Sequence, residues 1–489
     1  MLRDMNIINN IDALGMPMVS LHWVDNGDFQ NGLPDSYYLV NNSGVAPTAS
    51  TFDGFVTVGC GTNAAAQVAM AGDFFGHYNS GQALIGIGSS KWDAGVVNNT
   101  RKFGMFNPSA EYGIELTGTT WRVFHRSGGV QCVRTLTVTT GATGAGNVTV
   151  TLNGTAFTVA LTTTGSTTAT ARELANGTYA GWTATATGSV VTYVSNWSGV
   201  KAGSFTFSAG ATGVVVAGGA PALLRAGATY TLDTAIALTA VNGDRLDGTG
   251  PSRQTISAGP IFVFRFGHGY LGGAGPQIEI LRRGSNRWDM VHVFEHGGVS
   301  SAVNLNPPSL YVGWQNINTG NTTNVNIYGA SYAIAASNGT QTGKGRCPSN
   351  SALRTLSTGS MLPVFAIRMA QVKSGRVNWD EFEIDQIEAY STASTRTLFQ
   401  AWLNPTYGAV AAVWTASSIG AVEYDESGTS VSIGSGEVVG EKYVNGAGSV
   451  VLNLVRDIVL QRGDVLVIVA TGTGGGSFTC DASITGIER

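Results

Sequence analysis

A chain of 489 residues exceeds what one hydrophobic core supports, which predicts several domains. Charged residues make up 12% of it, against a usual level of about 25%, Gly stands at 67, and the 43% apolar content excludes a disordered chain. A formal net charge of -4 with no basic stripe excludes the electrostatic footprint of a nucleic-acid binder.

Met1 to Asn6 opens without an apolar run of signal-peptide length, and no segment reaches the roughly 18 uncharged apolar residues of a membrane span. Synthesis in a cytoplasm and no membrane partner are the expectation. Residues 1–132 read as an N-terminal β region, with Phe55 to Val58 and Thr119 to Phe124 as strands between Gly, Asn and Pro turns. Cys60, Cys132, Cys347 and Cys480 are far apart in sequence, with no Cys-x-x-Cys pair, so buried free thiols are expected rather than zinc or disulfides.

Residues 133–222 change texture to Thr, Ala and Gly. Here Val148 to Val159 alternates around Asn153-Gly154, a pair that favours a type I′ turn because both residues can take positive φ. That turn sets Val150 opposite Phe157 and Val148 opposite Val159 on one face, with Thr149, Thr151 and Thr158 on the other. Ser166-Thr167-Thr168 then predicts a cap on a short helix over Ala169 to Ala175 that stops at Asn176-Gly177. Two strands follow, around Trp182 to Thr187 and Val190 to Val194. This β-β-α-β-β unit reads as a small domain inserted into a larger one.

Residues 223–395 return to the first texture, with Ile261 to Phe266, Gln277 to Leu281 and Met290 to Phe294 as strands, so the two flanks are expected to form one β domain. Residues 396–489 read as a C-terminal β domain. Its runs Val450 to Val455 and Val465 to Val469 are apolar on both faces and predict inner strands of a sandwich or jelly roll. The predicted fold class is therefore mainly β, a multidomain β-sandwich or jelly-roll architecture with one inserted module.

Several short patterns invite chemistry. His292-Val293-Phe294-Glu295-His296 matches the H-x-x-E-H zinc pattern, which needs a helix to set both imidazoles on one face. Met290, Val291, Val293 and Phe294 favour a strand instead, in which the imidazoles sit about 13 Å apart, too far for one ion. Arg462-Gly463-Asp464 matches the integrin-binding tripeptide but lies between apolar segments where a tight turn is needed. Gly339 to Gly345 approaches a phosphate loop, one residue short between its glycines and with Gly345 where a magnesium-binding hydroxyl belongs.

Asp380, Glu381, Glu383, Asp385 and Glu388 form the densest acidic cluster. Calcium binding and glycoside cleavage are weighed there against a strand whose Phe382 and Ile384 turn inward and whose carboxylates face water, and the strand is preferred. Asp244 and Asp247 resemble part of a calcium loop that lacks its closing Glu. No Gly-x-Ser-x-Gly elbow, triad context or cofactor fingerprint appears, so no catalytic residue, metal ligand or cofactor is assigned and the chain is read as non-enzymatic. Trp182, Trp197, Trp314, Trp402 and Trp414 offer faces for stacking on sugars, a use weighed against core anchoring.

Three segments carry a resemblance: Arg101 to Asn107 with Gly113 to Trp121, the loop Asp244-Arg245-Leu246-Asp247-Gly248-Thr249-Gly250-Pro251-Ser252, and His292 to His296 with Asn306 to Val312. Together they resemble a family of virion structural proteins from tailed bacteriophages and large environmental viruses. In that family the segments lie closer together, so the resemblance implies that residues 133 to 220 are an insertion of a module common in phage tail and fibre proteins. It implies a structural virion component of the tail, baseplate or fibre, assembled in the host cytoplasm as a homotrimer that contacts other virion proteins. A head decoration or head fibre protein, and a receptor-binding adhesin that holds a host surface glycan on Trp402 or Trp414, stand as alternatives.

Overall fold

Period-two alternation folds the chain almost entirely into antiparallel strands, with one α-helix among the described residues. The computed structural model describes residues 21–30, 33, 38–41, 48–50, 54–72, 76, 78, 83–269, 275–296, 303–337, 344–349, 353–373, 376–378, 380–405, 414–416, 421–426, 428, 436–456, 458–473 and 476–488. They divide into two compact units, one drawn from residues 1–131, 196–200 and 227–341, the other from 132–195, 201–226 and 342–489.

The first unit is a two-sheet sandwich. One sheet runs in the order Trp288–Val293, Gln277–Leu281, Ile261–His268, Leu84–Trp92, Asn326–Ser337, Phe55–Gly59 and Thr48–Ser50, with Leu21–Asp28 also paired to Asn326–Ser337. The other runs Leu232–Ala237, Thr120–Ser127, Ala110–Thr117, Asn99–Asn107, Tyr311–Asn318, Gln67–Ala71 and Tyr38–Asn41. Between them Phe103 stacks on Trp314 at 5.5 Å and meets Phe266 edge-on at 5.1 Å, the offset and T-shaped arrangements that ring quadrupoles favour. Glycines make room for these rings: a Cβ on Gly329 would fall 2.1 Å from Trp314, and one on Gly88 2.8 Å from Phe103.

In the second unit the inserted segment forms a sheet of Trp182–Thr187, Val190–Ser198 and Gln131–Thr140, edged by Val215–Val216 and Ala222–Arg225, and a smaller sheet of Thr155–Leu161, Gly146–Leu152 and Thr206–Ser208. The hairpin has the expected register, Val150 opposite Phe157 and Val148 opposite Val159, with φ of 54° at Asn153 and 85° at Gly154. The helix Thr167–Ala175 is capped by Ser166, whose hydroxyl accepts the Ala169 N–H at 3.3 Å, and it ends at Asn176. Its Leu174 packs with Val148, Val150, Leu161 and Tyr193 in a common core.

Residues 344–488 form a second sandwich. One sheet contains Lys344–Arg346, Ser477–Glu488, Phe382–Ser391 and Gly448–Val451; the other contains Val422–Asp425, Leu362–Met369, Val465–Gly472, Arg396–Leu403 and Glu437–Asn445. Strand Leu362–Met369 is thus bonded to Val465–Gly472, so the sheets divide the chain near residue 342 and not at the expected 395/396 boundary. Sequence texture is alike on both sides of that boundary, because both belong to sandwiches with the same alternation. Val465–Gly472 is the buried inner strand its composition predicts. The run Val450 to Val455 is not: it breaks at Leu452, between Gly448–Val451 on one sheet and Asn453–Leu454 on the other. Leu452 is fully buried at this crossing with Val450 and Leu454 packed beside it, and Val451 and Val455 face solvent. Arg368 ties the inserted segment to this sandwich, its Nε donating to Glu423 at 2.6 Å and its Nη2 to the Ala186 carbonyl at 2.8 Å.

The Gly329 contact gives a direct test. Gly329→Ala forces the Trp314 indole out of its stack on Phe103, and overpacking of this kind costs about 1–3 kcal/mol. The expected outcome is a lowered urea midpoint with an altered tryptophan emission, read by fluorescence.

Candidate functional site

The three segments that carry the resemblance are bonded to one another inside the first unit. Alternation along Asn99–Asn107 turns Phe103 and Met105 into the core and Lys102 and Phe106 to the opposite face. Arg101 is fully buried and donates to the carbonyls of Asp93 at 2.8 Å, Ala94 at 2.8 Å and Asn326 at 3.1 Å. Loss of water pushes its pKa down to about 10. Asn107 caps the turn to the next strand by accepting the Ser109 and Ala110 N–H groups, and its amide reaches the Ser309 carbonyl at 2.8 Å.

Two histidines hold the chain at residues 304–308, at the start of the third segment's Asn306 to Val312 stretch. His125 Nε2 lies 2.6 Å from the Asn304 carbonyl, which can only accept, so this nitrogen carries the proton. By the same reasoning His268 Nε2 donates to the Pro308 carbonyl at 3.0 Å, and its Nδ1 accepts the Tyr112 hydroxyl at 3.0 Å. Burial pushes His125 down to about 4 and His268 to about 3, which keeps both neutral near pH 7. The loop Asp244 to Ser252 joins the group through Asn242, whose N–H donates to His292 Nδ1 at 3.2 Å and whose side chain bonds both backbone groups of Val293.

On the outer face of the seven-stranded sheet lies a buried ionic network. Fully buried Glu111 accepts from Lys102 Nζ at 2.6 Å, Arg126 Nη1 at 3.1 Å and Gln315 Nε2 at 3.0 Å. Arg126 also meets Glu115 at 3.0 Å and Asp233 at 2.8 Å, and both cations lie over the Phe124 ring. Burial opposes the charged form of Glu111, but Lys102 and Arg126 outweigh it and hold the carboxyl below its usual range. Nothing in the composition marks this network, because its members are spread over five strands and meet only through register.

The patterns that invited chemistry serve the framework. Asp244, buried, accepts the backbone N–H of Leu246 at 2.9 Å and of Ser252 at 2.7 Å, and Asp247 caps Thr249, so both carboxylates are occupied by the loop's own amides. His292 lies on the strand Trp288–Val293 and His296 beyond its end, as a strand and not a helix places them. Asp464 closes a turn by accepting the Gln461 N–H at 2.8 Å, with Gly463 at a φ of 96°. In the acidic cluster Asp380 pairs with Lys373 at 2.9 Å, Glu381 accepts from Gln461, and Asp385 is exposed at a register shift, so the carboxylates do not converge. Among the described residues no group of three or more metal-ligating side chains occurs. Residues 339–343 of the phosphate-loop pattern lie outside the described residues.

Trp182, Trp197, Trp314, Trp402 and Trp414 are all buried, and Trp402 and Trp414 pack with Ala366, Val467 and Val469 against the outer side of a sheet. Cys60, Cys132 and Cys480 are buried free thiols and Cys347 is an exposed one. Burial pushes the Cys60 and Cys480 thiols up to about 12. An open groove of about 850 Å³ in the first unit is lined by residues that include Gln254, Thr255, Ile261, Leu281 and Arg283, without a carboxylate, imidazole or thiol.

No family model matches the chain, and no curated protein matches it in sequence. Among solved structures, a protein of unknown function from Shewanella oneidensis MR-1 is similar over 64% of this chain and 85% of its own, at 8% identity and a TM-score of 0.28. Arcelin-5, a lectin-like defense protein from Phaseolus vulgaris, is similar over 64% of this chain and 97% of its own, at 9% identity and a TM-score of 0.23. The Faustovirus major capsid protein aligns over 96% of this chain and 90% of its own at 10% identity, with a TM-score of 0.11. Scores of this size decide nothing about shared fold or function.

Two measurements test the site. Unfolded imidazoles protonate near 6.5 and folded His125 and His268 only near 4 and 3, so the unfolded chain binds more protons throughout that interval. Stability is therefore full above about pH 6.5 and falls as the pH drops toward 3, and His125→Gln with His268→Gln flattens that slope in a series of urea midpoints. Glu111→Gln leaves Lys102 and Arg126 short of a buried partner and is expected to cost about 3 kcal/mol. Glu437→Gln, which breaks an exposed pair with Arg456, is expected to cost less than about 1 kcal/mol in the same assay.

Proposed function

We propose that this chain is a non-catalytic structural component of a bacteriophage virion, of the tail, baseplate or fibre, acting through symmetric contacts with copies of itself and with other virion proteins. The observation that carries this reading is where the charge sits. From only 27 basic and 31 acidic residues, Lys102, Glu111, Glu115, Arg368, Glu423 and Glu279 are buried, five of them in the pairs and networks described above and Glu279 with Arg265. The surface that remains is thinly charged, and it exposes Val97, Val200, Leu353 and Val455.

A solitary soluble chain keeps apart from its copies by net charge and by surface charges of both signs. A chain whose neighbours cover it needs fewer, and symmetric packing supplies that cover. The resembling segments support the same reading, since Arg101, Asn107, Asp244 and His292 spend their polar groups on backbone amides and carbonyls of their own unit. A family defined by such residues is held together by a shared framework and needs no shared reaction.

Immunogold electron microscopy on purified particles, with antibody raised against residues 396–489, tests the proposal. Gold at the tail or its tip is the expected outcome. Gold over the head makes this a head decoration or head fibre protein. Purified particles that lack the chain in immunoblots overturn the virion reading.

A further inference from the structure

The strands Ile261–His268 and Gln277–Leu281 pair only part of the way. Their register runs from Gly267 opposite Gln277 to Phe264 opposite Ile280 and stops there, while Ile261–His268 stays bonded along its whole length to Leu84–Trp92 on its other side. The end of Gln277–Leu281 turns to residues 252–254 instead. The Leu281 carbonyl accepts from Gln254 Nε2 at 3.1 Å, and the Arg283 N–H donates to the Ser252 carbonyl at 3.1 Å. The two strands therefore part, and an open groove of about 850 Å³ lies between Ile261, Phe262 and Val263 on one wall and Leu281, Arg282 and Arg283 on the other.

Successive residues of a strand direct their N–H and C=O groups to opposite sides. Alternate residues of Ile261 to Val263 therefore offer both groups to the groove, where no described strand pairs with them. Ile261, 51% exposed, sets an aliphatic side chain beside those groups. The charge here is one-sided: residues 244–289 hold six arginines and no lysine against four carboxylates, in a chain whose net charge is -4. All four carboxylates are engaged, Asp244 and Asp247 by loop amides, Glu279 by Arg265 and Asp289 by Arg282. Arg283 on the groove wall and Arg253 next to Gln254 are exposed and form no ion pair among the described residues.

We propose that this groove takes an extended acidic segment of another protein, which lies beside Ile261 to Val263 as an added strand. In such strand addition main-chain hydrogen bonds supply the affinity, and side chains and charge supply the choice of partner. The guanidiniums of Arg283 and Arg253 favour a segment that carries carboxylates, because no carboxylate of the groove's own surroundings is left to answer them. The chain's own densest acidic run does not fill the groove of a copy. Most of Asp380 to Glu388 lies in the strand Phe382–Ser391, bonded on one side to Ser477–Glu488 and on the other to Gly448–Val451 and Ile458–Leu460. The proposal goes beyond the virion reading, because it holds or fails on the purified chain whatever particle the chain belongs to.

Fluorescence anisotropy on the full chain tests this with a labelled, end-blocked hexapeptide of alternating valine and glutamate. Saturable binding below about 1 mM is expected. Lysine in place of glutamate in the peptide weakens it about tenfold or more, as do Arg283→Glu and Ile261→Asp in the protein, and added salt weakens it further. Thermal unfolding midpoints are expected to stay unchanged in both variants, whose side chains are exposed. Two more peptides, N-methylated at alternate amides in one register or the other, separate strand addition from plain charge attraction. One is expected to lose binding and the other to keep it, because only every second amide faces Ile261 to Val263. A wild-type chain that leaves the hexapeptide unbound overturns the proposal, as does binding that ignores both substitutions. Equal binding of the two N-methylated peptides overturns the added strand. Tighter binding of an alginate hexasaccharide, which carries carboxylates on a sugar backbone, overturns the protein partner. Each of these results is independent of where immunogold places the chain in a particle, so the virion reading fails or survives separately.

Discussion

The carboxylate of Glu111 is fully enclosed, and it stays charged because Lys102, Arg126 and Gln315 all donate to it. A buried ion is costly unless every partner is in place, so this network penalises any register but one among Asn99–Asn107, Ala110–Thr117, Thr120–Ser127 and Tyr311–Asn318. A slip of one residue would turn Glu111 into the aromatic core and Tyr112 out of it. Hydrophobic alternation alone specifies which face is inside; the ionic network adds a penalty for every wrong neighbour.

The same economy recurs across the first unit. Polar side chains are used less to meet water than to satisfy backbone groups that loops leave unpaired. Asn107 and Asp244 each bind two backbone amides of their own turns, and His125 and His268 bind carbonyls of the segment 304–308. Each of these side chains is buried, and each would cost free energy if its partner moved away. Connections that look irregular in sequence are therefore fixed as firmly as the strands.

Charge placed inside is charge absent from the surface, and this links the architecture to the proposed role. A thinly charged exterior suits the proposed repeated contact with identical neighbours.

Local chemistry by itself determined the mainly β class, the hairpin at Asn153-Gly154 with its register, the capped helix over Thr167–Ala175 and the inner strand Val465–Gly472, because turn type, capping and alternation act within a few residues. It also told that His292 belongs to a strand and that Asp464 belongs to a turn. Only the tertiary structure decided that the sandwiches divide near residue 342, that Val450 to Val455 crosses between sheets, and that Trp402 and Trp414 are covered. Only it brought Lys102, Glu111, Arg126 and Gln315 together, and set Tyr112 and His268 against Pro308. Gln315 reaches Glu111 across 204 residues and His268 reaches Tyr112 across 156, and a period of two carries no information about the identity of a strand's partner.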